Sequence, residues 1–453
     1  MEFNKTIKKI LRYPYSFIPY KYRYHHSYYS TKNFLKQNKL NNKRDLRNYQ
    51  LKKIKDVVKY AYKNCPGYYH LYRDSNVQPT DLNKLSDFRF FPLITKEILR
   101  DNLKEFVSRD VNLKKKIYVT TSGSSGIPFG FYNTKEENAI ELGFIHNAWE
   151  SIGWKLGDQS IVLRGSFIGT EKNLYYYNPS TKELHISTYF LKQRTYNDFK
   201  KLFYLNKIKD IQAFPSAIIN LANLVIDNKD IGKFDIRFVF LGSENFNLWQ
   251  KNIILRAFPK VKIFIWYGLT EKCALALKHP KNEYYKVCNE YGYSEILSSR
   301  TAKREKIFRN KEIIATSYFV KATPFIRYKT LDYASGEKDI NNSISKIYKI
   351  EGRKHEYILT YSKKKVYVSS WSSIMHDDIF DMVKEFQFFQ KTPGIVILKI
   401  VPKQKFQKLH EENIYNSIQK KFKKDLDIVI KKVSYIKKRK NNKYTFIVNN
   451  LKK

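Results

Sequence analysis

Hydrophobic and polar positions follow two different periods along the chain, and the switches between them mark its elements. Over Leu46–Tyr62, apolar residues recur at Leu51, Ile54, Val57, Val58 and Ala61, the spacing of one buried helix face. The NCPG at Asn64–Gly67 is expected to stop that helix, because Pro and Gly break helical backbone. A second helix is expected from Lys96 to about Phe106. KKKIYVTTSGSSGIPFGFYN then reads as strand, Gly/Ser-rich turn and strand. Short apolar runs next alternate with amphipathic stretches: strands at Gln159–Arg164, Ile211–Phe214, Arg237–Leu241 and Lys262–Tyr267, helices at Tyr196–Leu205, Ala217–Ile226 and Asn247–Phe258. That alternation predicts an α/β fold with a largely parallel sheet. Lys286–Val320 reads as antiparallel strands, KEIIATSYF being the clearest.

From His355 the pattern changes. A strand pair (Tyr357–Thr360, Lys365–Ser369) and a helix near His376–Met382 come first. Strands at Phe386–Gln390 and Gly394–Val401, a long helix Glu411–Asp425 and two final strands follow. The expected organisation is a basic, aromatic arm over 1–44, a large α/β domain over 45–354 and a small α+β domain over 355–453.

Composition narrows the class. Of 453 residues 42% are hydrophobic and 16% aromatic, unlike a disordered chain. Lys and Arg number 85 against 42 Asp and Glu, a net charge of +43 that attracts polyanions at long range. The charge is spread over the whole chain, together with abundant Asn, Ile and Tyr. Its clusters at Lys114–Lys116, Lys363–Lys365 and Lys437–Lys440 fall short of a dedicated nucleic-acid block, so nucleic acid is not the expected partner. The stretch Tyr13–Tyr29, dense in Tyr with Lys, Arg and His, has two readings: a segment at an anionic membrane interface, or an arm wrapped on the protein surface. Three Cys cannot make a disulfide framework and suit a reducing compartment. No run approaches the ~18 apolar residues of a membrane helix, and the N-terminus lacks a signal peptide's continuous apolar stretch. The expected location is the cytoplasm, with peripheral contact at the inner membrane surface left open.

Five elements could carry chemistry. In Thr120–Pro128, TTSGSSGIP, Gly123 and Gly126 permit tight turning, and Thr121, Ser122, Ser124 and Ser125 add hydroxyl donors. Such a loop can cradle phosphate oxygens, or be an ordinary hairpin turn. YGLTE follows the strand Lys262–Trp266, where ligands collect in parallel sheets. There Tyr267 could stack on a base, Gly268 admit close backbone approach, and Glu271 ligate Mg2+ through oxygen. The alternative is a strand-to-helix turn with Glu271 in the helix's first turn. In FIRYKTLD, Asp332 could accept hydrogen bonds from two ribose hydroxyls or simply open a turn. Arg353 in IEGRKHEY could grip phosphate with its planar fork, and Lys443 in NNKYTFIV stands near the end of the sequence.

In this order and spacing the five elements resemble the adenylate-forming (acyl-CoA synthetase-like) superfamily. Within it they are most similar to the branch of phenylacetate–CoA ligase and the CapK-type proteins of capsular polysaccharide biosynthesis. LKKIKDVVKYAYKNCPGYY, FPLITKEILRDN, WKLGDQSIVLRGS, AFPSAIINLAN, FLGSENF, NEYGYSEIL and FQFFQ extend the likeness from about Leu51 to Leu451.

The resemblance implies ATP-dependent activation of a carboxylate as an acyl-adenylate, followed by transfer to a thiol, amine or hydroxyl. It implies ATP and Mg2+, with CoA as one acceptor and a sugar nucleotide or lipid-linked glycan as others. By the resemblance, Thr121–Gly126 would hold the β- and γ-phosphates, and Ser243 and Glu244 would line the adenine or acyl pocket. Tyr267 would stack on adenine, Thr270 contact the α-phosphate and Glu271 hold Mg2+. Asp332 would bind the ribose with Arg353 nearby, and Lys443, on a mobile small domain hinged near Lys354–Glu356, would bridge α-phosphate and ribose.

The chain departs from the family pattern at four places. Its phosphate loop has no Lys, Leu331 replaces the Gly before the ribose-binding Asp, Glu356 replaces the hinge Asp, and Asn442 replaces the Gly before the terminal Lys. Cys273, His279 and Cys288 have loose spacing and no C-x2-C pair, a poor match to structural zinc. The rival reading is a non-catalytic relative binding acidic glycan, nucleic acid or anionic membrane through its basic surface.

Overall fold

The computed structural model describes residues 12–37, 40, 42–121, 129–164, 173–188, 190–206, 208–297, 305–353, 357–367, 382–422, 425–437 and 445–451. Among the described residues three short helices come first, α1 (Arg12–Phe17), α2 (Tyr20–Arg23) and α3 (His26–Lys36). The apolar stripe through Ile54, Val57, Val58 and Ala61 becomes the buried face of α4 (Lys43–Asn64), capped by Asn42 through the amides of Arg44 and Asp45. NCPG ends this helix but starts another at once. Pro66 occupies the first turn of α5 (Pro66–Asp74), where a missing N–H costs no hydrogen bond. The helix expected from Lys96 breaks at Asn102, whose φ of −128° leaves helical space, giving α6 (Lys96–Asp101) and α7 (Leu103–Phe106).

The Gly/Ser-rich stretch joins an antiparallel pair, β1 (Ile117–Thr121) and β2 (Phe129–Asn133). The helix α8 (Lys135–Glu150) follows, opened by a capping box between Thr134 and Glu137. Then come β3 (Ser160–Leu163), β4 (Tyr175–Asn178), β5 (Glu183–Ile186), α9 (Tyr196–Leu205), β6 (Asp210–Ala213), α10 (Pro215–Asp227), β7 (Phe238–Leu241), α11 (Leu248–Ala257) and β8 (Lys262–Gly268). A mostly antiparallel run continues with β9 (Leu275–Lys278), β10 (Tyr285–Val287), β11 (Gly292–Ile296), β12 (Ile307–Ser317), β13 (Tyr328–Lys338) and β14 (Ile344–Arg353). The last stretch holds β15 (Tyr357–Leu359), β16 (Lys365–Tyr367), β17 (Val383–Thr392), β18 (Ile395–Pro402), α12 (Lys408–Phe422), β19 (Asp427–Lys432) and β20 (Ile447–Asn449). The helix expected near His376–Met382 lies outside the described residues except for Met382.

The chain divides into two compact units, Met1–Leu156 with Phe264–Lys349, and Gly157–Ile263 with Ile350–Lys453. In the first, strands run in the order β11-β12-β13-β14-β10-β9-β8, antiparallel wherever their registers are resolved. Tyr68 on α5 donates its hydroxyl to the Pro324 carbonyl at 2.8 Å and accepts from the Ile326 amide at 3.1 Å. Arg327 is buried and gives its guanidinium to Glu295 at 2.8 Å and to the carbonyls of Arg89 and Phe91. A buried ion so fully bonded fixes the chain entering β13.

In the second unit the order is β7-β6-β3-β5-β4. The β6/β7, β3/β6 and β3/β5 pairs are parallel, as the alternating pattern predicted, and β4 is antiparallel to β5. The four-stranded sheet β19-β18-β17-β20 packs Phe388, Val396, Leu398 and Ile400 against Ile414 and Ile418 of α12. Trp249 on α11 lies against this cluster, its ring centroid 5.7 Å from that of Phe386 and 6.2 Å from that of Phe446. No described helix is long and apolar enough to cross a membrane.

Candidate active site

β8 is a buried strand that ends in YGLTE. Past it Thr270 is exposed, Glu271 is buried and Lys272 takes a left-handed φ of +53°. The next element is the strand β9, so Glu271 is not a first-turn helix residue. Gly268 is not demanded by packing, since a Cβ there would meet nothing closer than Leu275 at 3.6 Å. Asp332 stands inside β13, not at a turn.

Two of the acidic residues singled out in the sequence, Glu271 and Asp332, are each held by a buried tyrosine. Tyr267 donates its phenol to Asp332 Oδ2 at 2.9 Å, and Tyr328 donates to Glu271 Oε1 at 3.0 Å. Four strand steps separate β13 from β8, about 19 Å in a flat sheet at ~4.8 Å per step. Tyr and Asp side chains do not span that distance, so the sheet curls and brings β8 and β13 within reach of each other. Asp332 owes its aim to a local irregularity as well. Register shifts between Glu312 and Ile314 where β12 meets β13, and Leu331 sits opposite with φ +61°. A bulge of this kind re-aims the side chains beside it. The Asp332 amide bonds Thr330 Oγ1 at 3.1 Å and the Leu331 amide bonds Glu312 at 3.2 Å, which stabilises the bulge. The Gly-to-Leu departure thus falls where the backbone is left-handed and disfavours a side chain.

Burial, and secondarily the carboxylate each one faces, raises the ionisation of Tyr267 and of Tyr328 far above neutral pH. Both phenols therefore remain donors. Burial likewise keeps the Cys273 thiol protonated, so this cysteine is a small core side chain rather than a nucleophile.

The hairpin that carries the Gly/Ser loop is tied to YGLTE and to the segment just before FIRYKTLD. Asn133, closing β2, donates to the Thr270 carbonyl at 3.3 Å, and the Tyr132 amide donates to Thr323 Oγ1 at 3.0 Å. Thr121 closes β1, which places the start of the loop on this same hairpin. Ser122, Gly123, Ser124, Ser125 and Gly126 lie outside the described residues, as do Lys443, the Lys354–Glu356 hinge and Asn442. Arg353 closes β14, its side chain outside the description.

In the second unit, Ser243 is exposed with φ +70° and Glu244 is half-buried after β7. Glu244 accepts from the Ser216 amide at 2.9 Å and from Ser216 Oγ at 3.1 Å. Its charge therefore sits on the N-terminus of α10, where the helix dipole favours an anion.

Among the described residues no group of three His, Cys, Asp or Glu could hold a metal ion by itself. Glu271 nevertheless suits Mg2+, which commonly takes one or two carboxylates and completes its shell with phosphate oxygens and water. Among its partners is the neutral phenol of Tyr328, which donates to Oε1. Asn133 and Thr323 lie outside every quoted motif, and Tyr328, although inside FIRYKTLD, carried no signal of its own. They are uncharged or lie outside the quoted pentapeptide, and only the fold brings them in.

Residues 358–450 match the CapK C-terminal domain family. Protein CapK of Staphylococcus aureus is 22% identical over 376 residues, 79% of this chain and 78% of that one. A phenylacetate–coenzyme A ligase of Pseudomonas putida is 22% identical over 326 residues, 69% of this chain and 72% of that one. Among solved structures, a 2-hydroxyisobutyryl-CoA ligase in the postadenylation state, in complex with 2-HIB-AMP, superposes with a TM-score of 0.70 at 16% identity, covering 88% of each chain. The chain has the fold of the adenylate-forming ligases. The mixed α/β body and small α+β C-terminal sheet expected from the sequence are both those of that fold.

Proposed function

We infer that this protein activates a carboxylic acid with ATP and passes the acyl group to a thiol, amine or hydroxyl. The observation that carries the reading is the paired arrangement at the curled sheet: Tyr328 holding Glu271 and Tyr267 holding Asp332, with the phosphate-loop hairpin tied to Thr270. A carboxylate is a poor electrophile. Attack of its oxygen on the α-phosphate breaks the bond to pyrophosphate and yields an acyl-adenylate, from which AMP departs readily when the acceptor attacks the acyl carbon.

In this reading Asp332 accepts from the ribose hydroxyls and Tyr267 fixes its rotamer. Thr270, exposed beside Glu271, donates to the α-phosphate. Thr121 to Gly126 hold the outer phosphates, Ser243 and Glu244 line the adenine or acyl pocket, and Arg353 and Lys443 neutralise charge as adenylation proceeds. Mg2+, held by Glu271, would supply charge neutralisation on the phosphates. The CoA ligases among the relatives favour a thiol acceptor. Similarity to CapK favours cell-surface polysaccharide synthesis, in which a sugar nucleotide or lipid-linked glycan would present an amine or hydroxyl.

The test is ATP–pyrophosphate exchange across a panel of carboxylic acids. Stimulated exchange is expected with at least one acid and is expected to vanish in Glu271→Gln and Asp332→Ala while both variants keep their fold. Exchange with none of them, from folded protein, would leave the basic binding module as the better account.

A further inference from the structure

Residues 3–44 contain eleven Lys and Arg, ten Phe and Tyr, and no Asp or Glu. The structure splits this stretch into an anchored part and a projecting part. The anchor is α3, with Tyr28 fully buried and bonded to His146 Nδ1 at 3.0 Å, and Lys32 paired with Glu150. Ahead of it, α1 and α2 are joined by Ile18 and Pro19 into a small knuckle. Arg23 closes the knuckle by donating to the carbonyls of Ser16 and Ile18 and lies over the Tyr20 ring, 4.3 Å from its centroid. The Tyr22 amide bonds the Pro19 carbonyl at 2.9 Å, and Tyr29 of α3 donates to the Tyr20 carbonyl at 2.8 Å.

This knuckle is shaped but its apolar tip is not covered. Phe17 is 85% exposed, Tyr22 67% and Ile18 38%, with Lys21 beside Tyr22. Single exposed apolar residues are ordinary. Three on one bonded knuckle, within a stretch carrying only positive charge, are not.

We propose that the Phe17–Tyr22 knuckle docks on an anionic phospholipid surface, Phe17 and Ile18 entering the acyl boundary while Tyr22, Lys21 and the neighbouring cations meet the headgroups. Aromatic rings and basic side chains both favour that interface. A protein partner fits less well, because three apolar side chains fall far short of a stable interface. A second copy would set one row of cations against another. The inference stands apart from the carboxylate-activating reading, and its failure would leave that reading untouched.

The test is co-sedimentation of the full chain with phosphatidylglycerol-containing vesicles and with neutral phosphatidylcholine vesicles. The wild type is expected to bind the anionic vesicles, more weakly as salt rises, and the neutral ones little. The doubly substituted Phe17→Ser, Ile18→Ser chain is expected to bind about tenfold or more weakly, with an unchanged thermal midpoint because both side chains are exposed. Tyr22→Ser is expected to lose part of the binding. Equal binding of wild type and double variant would overturn the proposal, as would equal binding to neutral vesicles. A dimer in sedimentation equilibrium that the double variant abolishes would assign the knuckle to a second copy and overturn it too.

Discussion

Asp332 meets the phenol of Tyr267 at 2.9 Å although three strands lie between theirs in the sheet. The contact assigns Tyr267 a role besides presenting a ring: it sets the rotamer of the carboxylate proposed to bind ribose. Tyr267→Phe keeps the ring and removes the bond. The variant is expected to lose about 1–2 kcal/mol of stability and to raise the KM for ATP in pyrophosphate exchange about tenfold. An unchanged KM would mean that only the ring matters.

Leu331 is left-handed at φ +61°, a conformation that costs a residue with a Cβ about 1–2 kcal/mol. Leu331→Gly relieves that strain but loosens the unfolded chain, and the two effects nearly cancel. The expected change in the urea midpoint is therefore small. Leu331→Val, stiff at Cβ, is expected to destabilise by about 2 kcal/mol. If Val proved neutral, the bulge would have to rearrange at little cost.

Asp230 accepts from Lys200 at 2.8 Å, from Lys233 at 2.8 Å and from Tyr196 at 2.9 Å. The two lysines hold its carboxyl down at about 2, below an ordinary Asp. A carboxyl lowered in the fold binds its proton later than in the unfolded chain. Its stabilisation is complete above about pH 4 and drains away as the pH falls toward 2. Wild type is expected to exceed Asp230→Asn in urea stability at pH 6, and the gap to narrow at pH 3. A gap independent of pH would place the role in shape rather than charge.

Trp249 joins α11 to the C-terminal sheet through Phe386 and Phe446. Trp249→Ala is expected to cost about 3 kcal/mol and to increase proteolysis of the C-terminal stretch relative to wild type. Trp249→Phe should restore more than half of the loss. Wild-type resistance in the Ala variant would show that the two elements are held together elsewhere.

Much of the architecture could be read beforehand for a local reason. The Ile54–Ala61 stripe and the apolar runs of β3, β6 and β7 carry their signals within a few residues. The motif order singled out Glu271 and Asp332 from local signals of the same kind. Their mutual arrangement was not legible, because Tyr328 reaches Glu271 across 57 positions and Tyr267 reaches Asp332 across 65. Nor does a Leu announce a left-handed backbone, which its own sterics disfavour. The NCPG signal was read correctly as an ending and incompletely as a beginning, since Pro serves both roles.

The curl of the first unit's sheet gives β9, β10 and the body of β14 a bearing on the candidate site, although Arg353, at the end of β14, is the one proposed ligand group on them. They act as a spacer whose curvature sets how far apart the two tyrosine-held carboxylates sit. Gly336 illustrates the tolerance involved, since a Cβ there would fall 2.0 Å from the Lys346 carbonyl and would force β13 away from β14. A substitution chosen only for sheet packing, well away from Glu271 and Asp332, would thereby shift the two carboxylates relative to each other.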